Sequence, residues 1–253
     1  GLGPAGMAVS AMGAEMGLKV CAIEKNKIGG ECMNVGCIPS KSILRIARHR
    51  HAPVNLQEMG LLNEAVLPEI RSPFPLISRY LDYISNKKTL KMFEKVHLVL
   101  GEGPASFVDS HTVAVNGKTY SAQRIFIATG TEPRFPKIEG IRDIEILTNK
   151  NIFSLAAIPR SMTIIGGGAI GCEMAQAFTR LGTRCSIIHL DDYLLPNGNR
   201  EAGILLEEVF RKEGIEVHNS QKLVRVTREG DQICLFTEDG LCLKAEKLLL
   251  SAG

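Results

Sequence analysis

The chain opens with a glycine turn, "GLGPAG", followed by small and apolar residues at helical spacing up to Glu15, a glycine at 17, and the short apolar run "VCAIE". This pattern predicts a loop, an amphipathic helix, a stop and a buried strand. The same order returns in "SMTIIGGGAIGCEMAQAFTRLGTRCSIIHL", now with an apolar strand over Met162 to Ile165 ahead of the glycines. Between and after these stretches the pattern predicts helices over 38–52, 74–95 and 200–213. Pro39 is tolerated in the first turn of its helix. His97 to Leu100 reads as a short strand. Ala105 to Val108 and Thr112 to Val115 read as a small meander, and Arg124 to Ala128 as an apolar strand ending at Thr129 and Gly130. Further short strands are expected near 215–218, 222–228, 232–237 and 246–251. Residues 133–140 read as a loop and 148–159 as a connection.

The recurrence is an internal repeat. With Gly1 laid on Gly166, Gly3 falls on Gly168, Gly6 on Gly171, Gly17 on Gly182 and Glu24 on His189. Each copy is the first half of a dinucleotide-binding βαβ unit. The first glycine makes the tight turn, and the second lets backbone amides approach a pyrophosphate. The third lets the helix pack closely on its strand, with its N-terminus aimed at the phosphates. An acidic residue about 20 positions on can bind a ribose, and Glu24 stands at that place. The expected fold class is therefore α/β: two Rossmann-like, three-layer ββα dinucleotide domains with parallel sheets and β-meanders, over 1–157 and 158–253. The first copy has no strand before Gly1, and the last segment stops at "LLLSAG". A piece of a longer chain, cut at both ends, is the expectation.

Composition narrows the classes. The chain has 253 residues, 45% hydrophobic and 23% charged, with a net charge of +3. The basic residues are scattered, which gives no electrostatic case for nucleic acid or an anionic membrane surface. No run approaches the roughly 18 apolar residues that a spanning helix requires. Seven cysteines are present. Five of them, at 21, 172, 185, 234 and 242, lie in apolar runs where a small hydrophobe serves, and read as buried thiols. That usage suits a reducing, cytoplasmic setting with one special pair.

The special pair is in "GGECMNVGCIPSK", residues 29–41. On a regular helix Cys32 and Cys37 would be separated by about 140° of rotation and ~7.5 Å of rise. A disulfide needs Cα atoms ~4.4–6.8 Å apart, so a bridge requires a distorted segment, which Gly29, Gly30 and Gly36 permit. A zinc site would need more ligands at short spacing. A pair at the start of a helix also gains thiolate stabilisation. The residues favour a redox-active pair, with a buried structural pair as the alternative. Two dinucleotide units flanking a reactive dithiol would make an electron path from nicotinamide through flavin to disulfide.

"GGECMNVGCIPSK" resembles the active-site signature of the FAD-dependent pyridine nucleotide–disulfide oxidoreductases, a family that includes dihydrolipoamide dehydrogenase, glutathione reductase and mercuric reductase. "GLGPAG" with Glu24 and Lys25 resembles the FAD-binding start, "IFIATGTEP" the segment that closes the FAD site, and "IIGGGAIGCEMAQAF" the NAD(P)H loop. "LLLSAG" resembles the strand leading to a second FAD contact. The resemblance implies that 1–157 binds FAD, that 158–253 binds NAD or NADP, and that Cys32 attacks the substrate. It also implies that Cys37 lies against the flavin as a thiolate, and that Lys41 approaches the flavin ring and pairs with Glu173. FAD contacts are implied for Gly1, Gly3, Pro4, Ala5, Gly6, Glu24, Lys25, Gly30, Glu31, Cys32, Lys41, Ala105, Ala128, Thr129 and Gly130. Nicotinamide-nucleotide contacts are implied for Gly166, Gly168, Ala169, Ile170, Gly171, Glu173, His189 and Gly253. No metal-ligand set is implied.

The departures are specific. His189 stands where NADH-preferring relatives carry a carboxylate, and no arginine follows before Arg200, so the coenzyme is left open. The family's acid–base histidine belongs to a C-terminal dimerisation domain, and none of the six histidines here takes that role. "ILTNKNIFSL" and "EMAQAFTRLG" lean towards the mercuric reductase and dihydrolipoamide dehydrogenase branch. The substrate class is a small disulfide, a dithiol or a metal ion, and the full-length protein is expected to be a homodimer. The alternatives are a soluble transhydrogenase or NADH oxidase, whose relatives usually lack one cysteine of the pair, and a non-catalytic flavin-binding protein.

Overall fold

The computed structural model describes residues 1–84 and 89–252. Its contacts divide the chain into two units: Gly1–Pro39 with Leu76–Glu132, and Ser40–Pro75 with Pro133–Gly253. Residues 133–157, read above with the first repeat, cluster with the second unit.

In the first unit, helix α1 (Pro4–Glu15) leads to strand β1 (Cys21–Glu24). Gly17 ends the helix in a left-handed turn at φ +82°. β1 pairs in parallel with β2 (His97–Leu100), placing Cys21 opposite His97. Leu2, Ala14, Ala22, Ile28, Phe93 and Val96 form the core beneath them. A short helix, α2 (Gly30–Asn34), follows, and then the start of the long helix α3 (Cys37–Glu58). Helix α4 (Phe74–Tyr83) and the 3-10 turn Leu90–Phe93 stand where one helix over 74–95 was expected; residues 85–88 of that expectation lie outside the described residues. An antiparallel meander follows, of β3 (Ser106–Asp109), β4 (Thr112–Val115) and β5 (Lys118–Ser121). β5 was not anticipated. Its turn, Asn116-Gly117 with both φ values positive, is the two-residue hairpin chemistry that "VNGK" encodes.

The second unit is built on a four-stranded parallel sheet in the order β12 (Lys247–Leu250), β6 (Ser161–Ile165), β7 (Arg184–Ile188), β8 (Glu216–His218). Every residue of β6 is buried, as expected of a central parallel strand with both faces covered. Thr163 and Ser186 satisfy each other across β6 and β7 at 2.9 Å. Helix α5 (Ala169–Arg180) connects β6 to β7, and α6 (Arg200–Lys212) precedes β8. The ends of the two helices are tied by Arg180, which donates to both carboxylate oxygens of Glu213 at 2.8 and 2.6 Å. A second meander joins β9 (Leu223–Glu229), β10 (Gln232–Thr237) and the unanticipated β11 (Cys242–Ala245). The expected α/β class with parallel sheets and meanders is what the chain forms.

Two local expectations are corrected. The helix read as 38–52 runs on to Glu58, through Pro53. A proline there forfeits one backbone bond; the helix absorbs that loss and does not terminate. Residues 124–128 do not form a strand. No strand among the described residues lies alongside to supply a ladder, and Phe126 and Ile127 are 66% and 71% exposed.

The thiols separate into kinds. Of the five expected to be buried, Cys172, Cys185 and Cys234 are, whereas Cys21 and Cys242 are exposed: each begins a short strand at a position that faces outward. Burial pushes Cys172 and Cys185 up to about 12, with the Glu173 and Glu207 carboxylates adding to the effect at Cys172. An acid whose folded pKa is raised keeps its proton after the unfolded chain has lost it. Stability is therefore intact below pH ~9 and falls as pH rises above it, by up to ~1.4 kcal/mol per pH unit for Cys185. Urea melts between pH 8 and 11 should show that decline, shallower in Cys185→Ala. Equal pH slopes in the two proteins would refute the assignment.

Candidate functional site

The two glycine loops share their backbone. Gly3 and Gly168, each preceding its helix, are extended, at φ −71°, ψ −175° and φ −77°, ψ −178°. A Cβ on Gly6 would lie 1.9 Å from the Gly1 carbonyl oxygen, and one on Gly171 would lie 2.1 Å from that of Gly166. Both contacts are impossible for any other residue, so each helix begins pressed against its loop. The first-turn amides of both helices have no intrahelical partner and face the turn, which is the arrangement that receives a phosphate.

The loops also meet matching return segments. A Cβ on Gly1 would lie 2.2 Å from the Ala128 carbonyl oxygen, and one on Gly166 would lie 2.5 Å from that of Ser251. Ala128 and Ser251 thus play the same part in the two units, a correspondence not anticipated from the sequence. Gly253 lies outside the described residues. Thr129 and Gly130 are exposed, as are Lys25, Pro4, Ala5, Ala105, Ala169 and Ile170.

Around the first loop the chain closes tightly. Buried Glu24 accepts the Leu2 amide at 2.7 Å on one oxygen and the Asn26 amide at 2.8 Å on the other. A carboxylate has about four acceptor positions, which leaves room for ribose hydroxyls. Gly29 donates to the Leu2 carbonyl at 2.7 Å. A Cβ on Gly30 would come within 2.7 Å of the Gly3 Cα. Both residues have left-handed backbones, at φ +91° and +53°. Asn34 donates from its side chain to the carbonyls of Ile28 and Gly30 at 3.0 and 2.8 Å. Glu31 accepts from the Thr131 hydroxyl at 3.3 Å. α2, which carries half-buried Cys32, is thereby held against the loop.

The distortion required of 32–37 is present. Val35 and Gly36 interrupt the helix, and Cys37 opens α3. A Cβ on Gly36 would meet the Glu31 carbonyl oxygen at 2.9 Å and the Cys32 Cα at 3.2 Å. The break folds back on the Cys32 turn and leaves Cys37 as the first residue of α3.

In the second unit, Lys41 Nζ lies 2.5 Å from Glu173 Oε1, with the two side chains 62% and 30% exposed. An ion pair so open to water contributes less than ~1 kcal/mol, so stability alone does not account for it. His189 is buried at the end of β7, over the second loop. Its Nε2 lies 2.7 Å from Asn219 Oδ1. Asn219 in turn donates to Glu207 at 2.9 and 3.0 Å. Neither Asn219 nor Glu207 was anticipated. Glu207 had a signal, for it shares the buried stripe of α6 with Gly203 and Phe210.

Paired glycine cradles that a Cβ would fill, each starting a helix at the end of a strand or tight turn, fit dinucleotides in both units. The fold and loops thus define a protein with two dinucleotide units and a cysteine pair beside the first. The chain belongs to the pyridine nucleotide-disulphide oxidoreductase family, whose model matches residues 1–253. Family members use FAD and NAD(P)H. The chain is 32% identical to a mercuric reductase of Lysinibacillus sphaericus, over 100% of this chain and 47% of that protein. It is 34% identical to a dihydrolipoyl dehydrogenase of Thermus scotoductus, over 94% of this chain and 51% of that one. An HOCl-induced flavoprotein disulfide reductase from Escherichia coli has the same fold, with a TM-score of 0.85 at 24% identity, covering 100% of this chain and 55% of that one. The chain spans about half the length of these relatives.

Gly168 offers a clean test of the cradle. A Cβ there meets nothing within 4 Å, whereas one on Gly171 strikes backbone. Gly168→Ala should melt within ~2 °C of the native protein yet bind nicotinamide dinucleotide roughly tenfold more weakly, because the methyl occupies the phosphate's approach. Gly171→Ala should lose stability first. Calorimetry and fluorescence titration on the same samples read both. Unchanged affinity in Gly168→Ala would remove the cradle from the account.

Proposed function

We propose that the full-length protein is a flavoprotein oxidoreductase that passes two electrons from a reduced nicotinamide dinucleotide, through FAD, to a Cys32–Cys37 disulfide and on to a small disulfide or a metal ion. The observation that carries this reading is the pairing of two identical glycine cradles with a cysteine segment folded back on itself beside the first. In this reading residues 1–157 serve FAD and 158–253 serve the nicotinamide nucleotide. The first loop binds the FAD pyrophosphate through the amides of Gly3, Ala5 and Gly6, and Glu24 orients its ribose. Lys25, Gly30, Glu31, Ala105 and Ala128 to Gly130 line the rest. The second loop holds the other pyrophosphate through Gly166, Gly168, Ala169, Ile170 and Gly171.

When bound, FAD supplies a carrier that accepts a hydride and releases electrons to sulfur. The chain's own groups do the remaining work. Two electrons and one proton would break the S–S bond, leaving Cys37 as the thiolate and Cys32 as the thiol. Cys32, once deprotonated, attacks a substrate disulfide; its sulfur bonds to one substrate sulfur and the other leaves as thiolate. Cys37 then attacks Cys32, which restores the internal disulfide and frees the second substrate thiol. With a metal ion as substrate, the two thiolates would instead ligate it. Glu173 fixes the direction of Lys41, whose ammonium would offset negative charge on a bound flavin. Homodimerisation, a cytoplasmic setting and an acid–base group outside this chain complete the reading.

The test is an anaerobic titration of the full-length protein with NADH and with NADPH. A long-wavelength charge-transfer absorption should appear in the native protein and in Cys32→Ser, and be lost in Cys37→Ser. Alkylation after reduction should label Cys32 first. Cys32→Ser should lower turnover of a disulfide substrate by roughly 100-fold or more. Flavin bleaching with no such band and no dependence on Cys32 would instead indicate an oxidase or transhydrogenase.

A further inference from the structure

The outer face of the second meander carries a thiol pair that neither glycine loop uses. Ile233 and Leu235 of β10 belong to the core, so strand alternation turns Cys234 and Phe236 to the opposite face. The register sets Lys244 against Cys234 and Cys242 against Phe236, so Cys242 and Lys244 of β11 share that outer face. Cys234 and Cys242 are therefore diagonal neighbours across the two strands. The Thr237 amide donates to the Leu241 carbonyl at 3.0 Å. By alternation, the 236–242 and 234–244 pairs are of the non-hydrogen-bonded kind, whose side chains approach more closely. The two sulfurs act electrostatically on each other, and Lys244 acts on both.

The two thiols differ in exposure. Cys242 is open to solvent, whereas Cys234 is 0% exposed. Lys244 and Glu229 stand on the strands flanking β10 and pair at 2.9 Å, closing over the strand beside Cys234. Their side chains are 50% and 53% exposed. An ion pair so open to water is held weakly, and rotation of two side chains lifts it.

Spacing decides which chemistry the pair suits. Diagonal neighbours stand ~7–8 Å apart at Cα and somewhat less at Cβ, whereas a disulfide needs Cβ atoms ~3.8 Å apart. That gap is long for an S–S bond and suits an ion lying between the sulfurs, with metal–sulfur bonds of roughly 2.3 Å. Among the described residues no group of three or more His, Cys, Asp or Glu could hold a metal ion, so two sulfurs are the whole donor set. Two thiolates by themselves satisfy a soft ion that accepts linear coordination. Arg225, with its guanidinium 4.4 Å from the centre of the Phe236 ring, and Lys244 bring positive charge to the two ends of the pair, against the single negative charge of a monovalent ion held by two thiolates.

We propose that Cys234 and Cys242 form a two-coordinate site for a soft monovalent cation, with Cu(I) as the type, on the outer face of the meander. Cys242 takes the ion first, and Cys234 completes the site as the Lys244–Glu229 pair opens. Each thiol releases its proton to water as its sulfur bonds the ion, and no atom changes oxidation state.

The experiment is an anaerobic competition for Cu(I) between bicinchoninate and the reduced full-length protein, in a Cys32→Ser/Cys37→Ser background that removes the other pair. That protein should hold one Cu(I) which the further change Cys242→Ser weakens roughly 100-fold or more, and Cys234→Ala should weaken it as much. Cys242 is exposed, so its variant should keep the parent's melting temperature, and it decides the matter should Cys234→Ala fold poorly. X-ray absorption at the copper edge should show two sulfur neighbours. Undiminished binding in Cys242→Ser overturns the site. So does undiminished binding in Cys234→Ala, which would leave a lone surface thiol. Three sulfur neighbours, or a Cys234–Cys242 disulfide formed readily with hydrogen peroxide, would overturn the linear geometry.

Discussion

At both helix starts a backbone carbonyl occupies the space that a side chain would need. The Gly1 oxygen lies 1.9 Å from where a Cβ of Gly6 would be, and the Gly166 oxygen 2.1 Å from where one of Gly171 would be. This steric limit governs what surrounds it. It fixes how near each helix comes to its turn, and hence where the unpaired amides of the first turn point. It also sets the position against which the next segments close, Gly29 and Gly30 in one unit and the Gly167–His189 contact in the other. Every group assigned a role at the loops is placed relative to those two contacts.

The repeat, the glycine spacing and the cysteine segment were all legible, because each rests on residues whose conformational demands are narrow. Glycine at a positive φ, a helix stop and an alternating strand leave marks in sequence. What escaped depended on pairing between distant segments. Residues 124–128 are as apolar as a strand, but a strand exists only with a neighbour, and apolarity says nothing of neighbours. β11 escaped because its burial alternates weakly and its register is supplied by β10. β5 was readable, since Asn116-Gly117 is a strong hairpin signal. Asn219 is the clearest case of information outside the local pattern, for its orientation follows from Glu207, twelve residues away in another element.

The cysteines show how one residue type is put to two uses by its surroundings. Cys172 and Cys185 are removed from water and hold their protons far into the alkaline range. Cys32 and Cys37 flank a helix break and retain access to solvent. The spacing of the pair made the distinction visible in sequence. Burial and its electrostatic consequence supply the reason, since thiolate formation requires water or positive potential.

The near-identity of backbone angles at Gly3 and Gly168 has a consequence of another kind. Two copies of one structural solution, held in a single polypeptide, need not remain under the same demands. Glu24 and His189 stand at matching strand ends over loops of the same geometry, so the residue at either strand end can change without disturbing the turn beneath it. Repetition within one chain thus lets each loop be tuned by itself.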